Sequence, residues 1–276
     1  MKKISPKTQQ KRSPKISVTR LRQMKKEGEK IAVLTSYDAT FSVLLDDAGI
    51  DVQLVGDSLG MVIHGQDSTV SVTLEDMIYH SSIVSQTNKR SLIIADMPFM
   101  SYATPEQAMT NAARLMSEGG AEVIKMEGGA WLEETITLLS SRGIPVCAHL
   151  GLLPQSVHKL GGYRVQGRDK ASAKQILKDA KTLEKAGAEM MVIELVTREL
   201  AAEISQAVSI PVIGIGAGAD CDGQVLVLHD MLGVGGRYMK MCKNFMANSD
   251  SIQDAIKNYV DEVKAGTFPA EEHGFD

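Results

Sequence analysis

Aromatic residues are scarce, making up 4% of a 276-residue chain that carries 15 methionines. The core must therefore be filled by aliphatic and thioether side chains. A surface that binds nucleic acid by stacking bases on aromatic rings has little to work with. Cysteine is equally sparse: Cys147, Cys221 and Cys242 stand far apart, with no CxxC spacing. That pattern implies reduced thiols in a cytoplasmic protein and argues against a structural zinc site. No apolar stretch reaches the ~20 residues that cross a bilayer, so no membrane span is expected. Acidic residues are missing from one region only. Residues 1–26 hold ten Lys or Arg and no Asp or Glu, which leaves 20 basic against 34 acidic side chains, a balance of −14, in the other 250 residues. The basic start is polar and interrupted by Pro6 and Pro14, and it reads as a solvated tail over residues 1–16. A targeting peptide fits it less well, because it lacks an apolar segment and is richer in Lys than in Arg.

What the chain does have is enough apolar material for a large core, with 43% hydrophobic against 23% charged residues. Apolar runs recur at 31–37, 52–58, 91–98, 121–128, 145–152, 190–196, 211–218 and 225–232. Runs of this length, bounded by glycines or helix-starting segments, read as parallel strands buried on both faces. A short helix over residues 16–30 precedes the first, with Ser17 or Thr19 available as N-cap. Helical patterns separate most of the runs. One starts at Thr104 with Pro105 in its first turn and Gln107 at the capping-box position; another starts at Thr73 with Asp76 following. Residues 251–266 form a last amphipathic helix with Ile252, Ile256, Val260 and Val263 on one side. It either closes its own barrel or docks on a neighbouring subunit. Neither a linker nor an internal repeat interrupts this rhythm. The expected fold is α/β: a (β/α)₈ TIM barrel in a single domain, residues 17–276, with an N-terminal helix and an additional C-terminal helix. A doubly wound open sheet is the alternative.

In such a barrel the chemistry lies at the C-terminal ends of the strands. In order, those ends present Tyr37 and Asp38, Asp57 and Ser58, Asp96, Lys125 and Glu127, His149, Glu194, the IGIGAG loop at 213–218, and His229 with Asp230. Carboxylates repeated at strand exits are costly unless a metal, proton or substrate occupies the site. Asp57 and Asp96 are hard oxygen donors from different strands and suit Mg²⁺, whose remaining ligands come from water and substrate. Glu127 is either a third ligand or a group that orients a metal-bound water. The competing role for any one such acid is a helix N-cap. Lys125 and Glu127 flank Met126 and so share a strand face. From there Lys125 either neutralises a substrate carboxylate or developing enolate, or simply pairs with Glu127. His149 is a rim residue with a structural or a functional role. Glu194, set among Met191, Val192, Ile193 and Leu195, is the acid/base candidate if burial without charge partners raises its pKa. Pairing with Lys or Arg is its bland alternative. IGIGAG lacks a Walker lysine and reads as a tight turn after a strand.

Beyond these single residues, YDATFS, VGDSLGMVIHGQDSTVSVTLEDMIYH, ADMPFMSYATPEQA, KMEGG, PVCAHLGLLPQSVHKLGGYRVQGR, PVIGIGAG and DGQVLVLHDMLG closely resemble the ketopantoate hydroxymethyltransferase family, over nearly all of residues 17–276. VGDSLGMV with GGYRVQGR is the most specific part. The loop after IGIGAG varies in that family, so Ala219, Asp220 and Cys221 carry no functional inference. The resemblance implies transfer of the one-carbon unit of 5,10-methylenetetrahydrofolate to 3-methyl-2-oxobutanoate, giving ketopantoate and tetrahydrofolate in pantothenate biosynthesis. It implies Mg²⁺, or another divalent metal, on Asp57 and Asp96 with Glu127 beside it, the metal chelating the keto oxygen and one carboxylate oxygen of the 2-oxoacid. Ser58 and Lys125 would hold the substrate carboxylate, Glu194 would be the general base or acid, and His149 would line the pocket. It also implies a homo-oligomer, typically a decamer, with the terminal helix touching a neighbour. Small-molecule 2-oxoacid and folate are the partners; no nucleic acid and no membrane are expected. Two other readings compete. One is a 2-oxoacid lyase or phosphoenolpyruvate mutase relative, which runs the same enolate chemistry. The other is a catalytically silent barrel kept for binding or assembly.

Overall fold

The computed structural model describes residues 14–236 and 239–276; most of the basic tail lies outside the described residues. Eight parallel strands close into a barrel in sequence order. They are β1 (Ile31–Thr35), β2 (Val52–Val55), β3 (Leu92–Asp96), β4 (Val123–Glu127), β5 (Val146–Gly151), β6 (Met190–Glu194), β7 (Val212–Ile215) and β8 (Gly223–Leu226). Closure is made by β1 against β8, with Ile31 opposite Gly223 and Leu34 opposite Leu226. Every strand residue is buried except for partial exposure at Gly151. That is why the runs are continuously apolar rather than alternating.

Side chains still alternate between two cores. Ile93, Ala95, Ile124, Met126, Met191 and Ile193 point outward and join Ala112, Leu115, Leu139, Leu183 and Ile204 of the surrounding helices. Ile31, Val52, Leu92, Val123, Met190 and Ile213 belong to the second cluster, with Leu21 and Met24. Those last two come from helix α1 (Val18–Glu27), which plugs the N-terminal mouth. Each is almost fully buried and contributes about 1.5–3 kcal/mol of apolar burial. Ser17 caps this helix by accepting from the Arg20 N–H.

The barrel helices are α2 (Ala39–Ala48), α3 (Leu74–Thr87), α4 (Pro105–Ser117), α5 (Glu133–Ser141), α6 (Lys170–Ala186), α7 (Arg198–Ala207) and α8 (Ile252–Ala265). Thr73 and Asp76 form a complete capping box on α3. Thr104 caps α4, though the Gln107 side chain accepts from the Ala103 N–H rather than from its own cap. The terminal helix α8 packs against its own barrel: the Tyr259 hydroxyl lies 2.9 Å from both Val33 O and Gln224 O, and Ile256, Tyr259, Val260 and Val263 are buried. Ile252 stands 40% exposed, off the face assigned to it from the pattern.

Two features mark the end of the barrel, and the second corrects the expected eighth strand. No helix joins β7 to β8; Gly216 (φ 61°) and Gly218 (φ 84°) turn the chain straight into the next strand. The eighth strand also ends at Leu226, and Leu228–Met231 is a short helix that begins where the Leu228 N–H donates to Thr35 Oγ1 at 2.8 Å. A short apolar run such as VLVLHDML has no period that separates strand from buried helix, so the register with β1 decides. His229 and Asp230 therefore sit on a helix, not at a strand end.

Candidate active site

Inward-pointing residues at the C-terminal ends of β3 to β6 converge on a cavity of about 580 Å³. Asp57, Ser58, Asp96, Lys125, Glu127, His149 and Glu194 all line it. Period-two geometry puts Lys125 and Glu127 on one face of β4. The barrel register places His149 opposite Glu127, and Gly151 opposite Glu194. Gly151 has φ 90°, and a Cβ there would collide with the Glu194 carbonyl oxygen, so only glycine lets β5 and β6 approach at this level. At Gly56 a Cβ would lie 2.7 Å from Ser58 Oγ and would force that hydroxyl to shift.

Lys125 Nζ donates to Asp96 Oδ1 at 2.6 Å, and the Asp57 N–H donates to Asp96 Oδ2 at 3.1 Å. Ser58 Oγ lies 2.9 Å from the Tyr37 hydroxyl. His149 stands between two acids, Nδ1 at 3.4 Å from Glu127 Oε1 and Nε2 at 3.3 Å from Glu194 Oε2. Neither approach has hydrogen-bond alignment, so both imidazole nitrogens remain without a true hydrogen bond. The attraction is one of charge.

Asp57, Asp96, Glu127 and Glu194, four carboxylates, share this space with two cationic candidates, Lys125 and His149, and none of the six exceeds 9% exposure. The consequence shows in their protonation. Burial, then the neighbouring charges of Asp96 and Glu127, push the Asp57 carboxyl well above the carboxylate range. Burial alone would raise Glu127 too, but His149, Lys125 and the Gln155 N–H outweigh it and hold Glu127 low. Burial opposes charge on Lys125, yet Asp96, Glu127 and Asp57 raise its pKa further, so it stays an ammonium. His149 is pushed up to about 9: burial and Lys125 disfavour its charge, and Glu127 and Glu194 overcome both. Glu194 thus has a cationic neighbour, His149 on the adjacent strand, rather than the Lys or Arg weighed as its alternative partner.

Other rim residues divide by position. Asp38 accepts from the Thr40 and Phe41 N–H groups and is the N-cap of α2. Asp57 caps nothing and faces the cavity. His229 stacks obliquely near Tyr37, with ring centroids 5.7 Å apart, and Asp230 lines the outer cavity. Two residues that lie within the family-like stretches without an assigned role belong to the site. Gln155 donates from Nε2 to Asp57 Oδ2 at 2.8 Å and from its main-chain N–H to Glu127 Oε2 at 3.0 Å. The Tyr102 hydroxyl donates to Gln155 Oε1 at 2.6 Å.

The donor set can be tested for a divalent cation. Among the described residues no three His, Cys, Asp or Glu side chains converge tightly enough to hold a metal by themselves. Glu127 faces His149 and the Gln155 N–H, and Asp96 faces Lys125 Nζ and the Asp57 N–H. Asp57 and Asp96 remain as two adjacent buried carboxylates with surplus negative charge, which fits a Mg²⁺ site completed by water and substrate oxygens. Glu127 stands in the same cavity beside this acid pair.

The model of the family described as Ketopantoate hydroxymethyltransferase matches residues 15–271. The chain belongs to the ketopantoate hydroxymethyltransferase family. Membership makes it a transferase and sets aside the silent-barrel and lyase readings at the level of family. A protein from Pseudomonas fluorescens (strain Pf0-1) named 3-methyl-2-oxobutanoate hydroxymethyltransferase is 59% identical over 264 residues, covering 95% of this chain and 99% of its own. One of the same name from Shewanella loihica is 56% identical over 262 residues, with the same coverage, 95% and 99%. Among solved structures, 2,3-dimethylmalate lyase superposes with a TM-score of 0.58 at 20% identity, over 78% of this chain and 82% of that one. Phosphonopyruvate hydrolase in complex with oxalate and Mg²⁺ gives 0.58 at 12% identity, over 77% and 80%. At such identities the likeness shows the barrel alone. Among the described residues no helix is long and apolar enough to cross a membrane.

Proposed function

We propose that this hydroxymethyltransferase moves the one-carbon unit of 5,10-methylenetetrahydrofolate onto C3 of 3-methyl-2-oxobutanoate, releasing ketopantoate and tetrahydrofolate for pantothenate biosynthesis. The observation that carries the reading is the convergence of Asp57, Asp96, Lys125 and Glu194 on one cavity, with an acid pair on one side and a His-paired acid on the other. A cavity of about 580 Å³ exceeds the needs of a five-carbon acid and leaves room for a second, larger substrate.

Asp57 and Asp96 would hold a divalent cation, which supplies Lewis-acid charge at the keto oxygen of the substrate. Glu127 stands beside it. Lys125, kept cationic, stabilises the substrate carboxylate and the enolate charge that develops next to it. Ser58 Oγ, oriented by Tyr37, offers a further donor to the carboxylate. Glu194 takes the proton from C3. His149 fixes the Glu194 carboxylate at the cavity wall through its charge, 3.3 Å away. The C3 carbanion equivalent then attacks the methylene carbon of the folate: a C–C bond forms, the two C–N bonds to the folate break as its nitrogens take up the proton removed from C3 and one proton from water, and the remaining hydroxyl of that water completes the hydroxymethyl group. No protein nucleophile is needed. We propose further that the chain works as a homo-oligomer, the decamer of its family, in the cytoplasm.

Consumption of 3-methyl-2-oxobutanoate tests the substrate assignment. It is expected only with methylenetetrahydrofolate and a divalent metal present. Turnover without folate, or cleavage of phosphonopyruvate or isocitrate, would overturn the assignment in favour of lyase chemistry.

A further inference from the structure

Among the cavity's neighbours, Gln155 has the most complete set of contacts and no chemistry of its own. It lies in the single turn Pro154–Ser156 that follows β5 and is 6% exposed. Its Nε2 donates to Asp57 Oδ2 at 2.8 Å and to Met97 O at 2.9 Å. Its Oε1 accepts from the Tyr102 hydroxyl at 2.6 Å, and its main-chain N–H donates to Glu127 Oε2 at 3.0 Å. Both amide hydrogens and the amide oxygen are therefore used.

The amide has only one tolerable orientation. Reversed, its oxygen would face the Met97 carbonyl, an acceptor with no proton to share. Tyr102 locks the other end. Its hydroxyl is shared with the Glu127 backbone, at 3.2 Å from Glu127 O and 3.3 Å from Glu127 N, and its ring stacks on Trp131 at 6.1 Å and 9°. Gln155 thus joins the end of β2 to β4, its side chain on Asp57 and its backbone on Glu127. Asp57 needs such a support: it follows the end of β2, and no main-chain donor to its carboxylate oxygens occurs among the described hydrogen bonds.

We infer that Gln155 is a positioning residue for the cation site: it fixes Asp57 Oδ2 through its amide so that the other carboxylate oxygen is presented beside Asp96. The inference rests on Asp57 and Asp96 as the cation donors. A neutral residue in this place positions a ligand without adding charge to a site that already has a surplus of carboxylates. Partners of this kind tune metal affinity by orientation, and removing one typically costs about 10–100-fold.

Mn²⁺ titration of the metal-free full-length protein without substrate, followed by electron paramagnetic resonance of the free ion, tests this apart from turnover. Gln155→Met keeps the main-chain bond to Glu127 and removes the bond to Asp57; Mn²⁺ affinity is expected to fall about 10–100-fold at an unchanged folate KM. Gln155→Asn keeps the amide but is one methylene too short to reach Asp57, and the same loss is expected; it replaces Gln155→Met if that variant does not fold. Tyr102→Phe leaves both Gln155 donors in place and is expected to lose less than either. Mn²⁺ binding by the Gln155 variants within twofold of wild type, with Asp57→Asn abolishing it, would overturn the positioning role and leave the cation donors standing. Wild-type Mn²⁺ binding by Asp57→Asn would instead remove the donor assignment itself.

Discussion

His149 Nε2 lies 3.3 Å from Glu194 Oε2, a buried contact made across β5 and β6 at the floor of the cavity. The same imidazole reaches Glu127 through Nδ1, so one ring links the proton-transfer candidate to the acid beside the proposed cation. A ring held this way is cationic at neutral pH. Its charge is what places Glu194.

His149→Gln keeps a polar side chain of similar reach and removes the charge. Turnover is expected to fall about 10–100-fold, with a smaller change in KM, because Glu194 loses its anchor while Asp57, Asp96 and Lys125 keep theirs. Steady-state kinetics check this; an unchanged kcat would show that Glu194 needs no anchor.

The raised His149 pKa also predicts the pH dependence of stability in the metal-free protein. Its folded value of about 9 exceeds the ordinary 6.5, so the native state binds this proton more tightly than the unfolded chain does. The stabilisation is fully present below pH 6.5 and is lost as the pH rises through 9. Melting curves across that range should show the advantage of wild type over His149→Gln shrinking with pH. A constant difference would contradict the charge assignment.

Burial and its acidic neighbours hold the Asp57 carboxyl above the carboxylate range, so a divalent cation bound there would compete with a proton. Mn²⁺ binding is expected to release protons. Calorimetry in two buffers of different ionisation enthalpy should give different apparent heats, and identical heats would count against Asp57 as the displaced acid.

Tyr259 ties the terminal helix to the barrel by its hydroxyl, 2.9 Å from Val33 O and from Gln224 O. Tyr259→Phe is expected to lower stability by about 1 kcal/mol, read from denaturant unfolding. No loss would mean that the helix draws its stability from elsewhere.

The barrel was legible in the sequence because strands buried on both faces leave continuous apolar runs, and the period of two put Lys125 and Glu127 on one face before any contact was known. Position at a strand exit did not separate Asp38 from Asp57: the first turned out to be a helix cap and the second a cavity residue, a difference set by the segment that follows each. The His149 partner of Glu194 was hidden because it depends on the register between β5 and β6, set at a glycine that lets the strands touch. Gln155 lay inside a family-like stretch but drew no role, since a neutral amide shows its role only through the acids it bonds. His229 and Asp230 were misplaced because an apolar run without a period does not distinguish strand from short helix.

Deprotonation of C3 by Glu194 is the step on which the rest depends. Isotope exchange at C3 of 3-methyl-2-oxobutanoate, followed by NMR in deuterated water without folate, isolates it. Exchange is expected to require a divalent metal and to fall about 10²–10⁴-fold in Glu194→Gln. Exchange at the wild-type rate in that variant would contradict the assignment of Glu194 as the base.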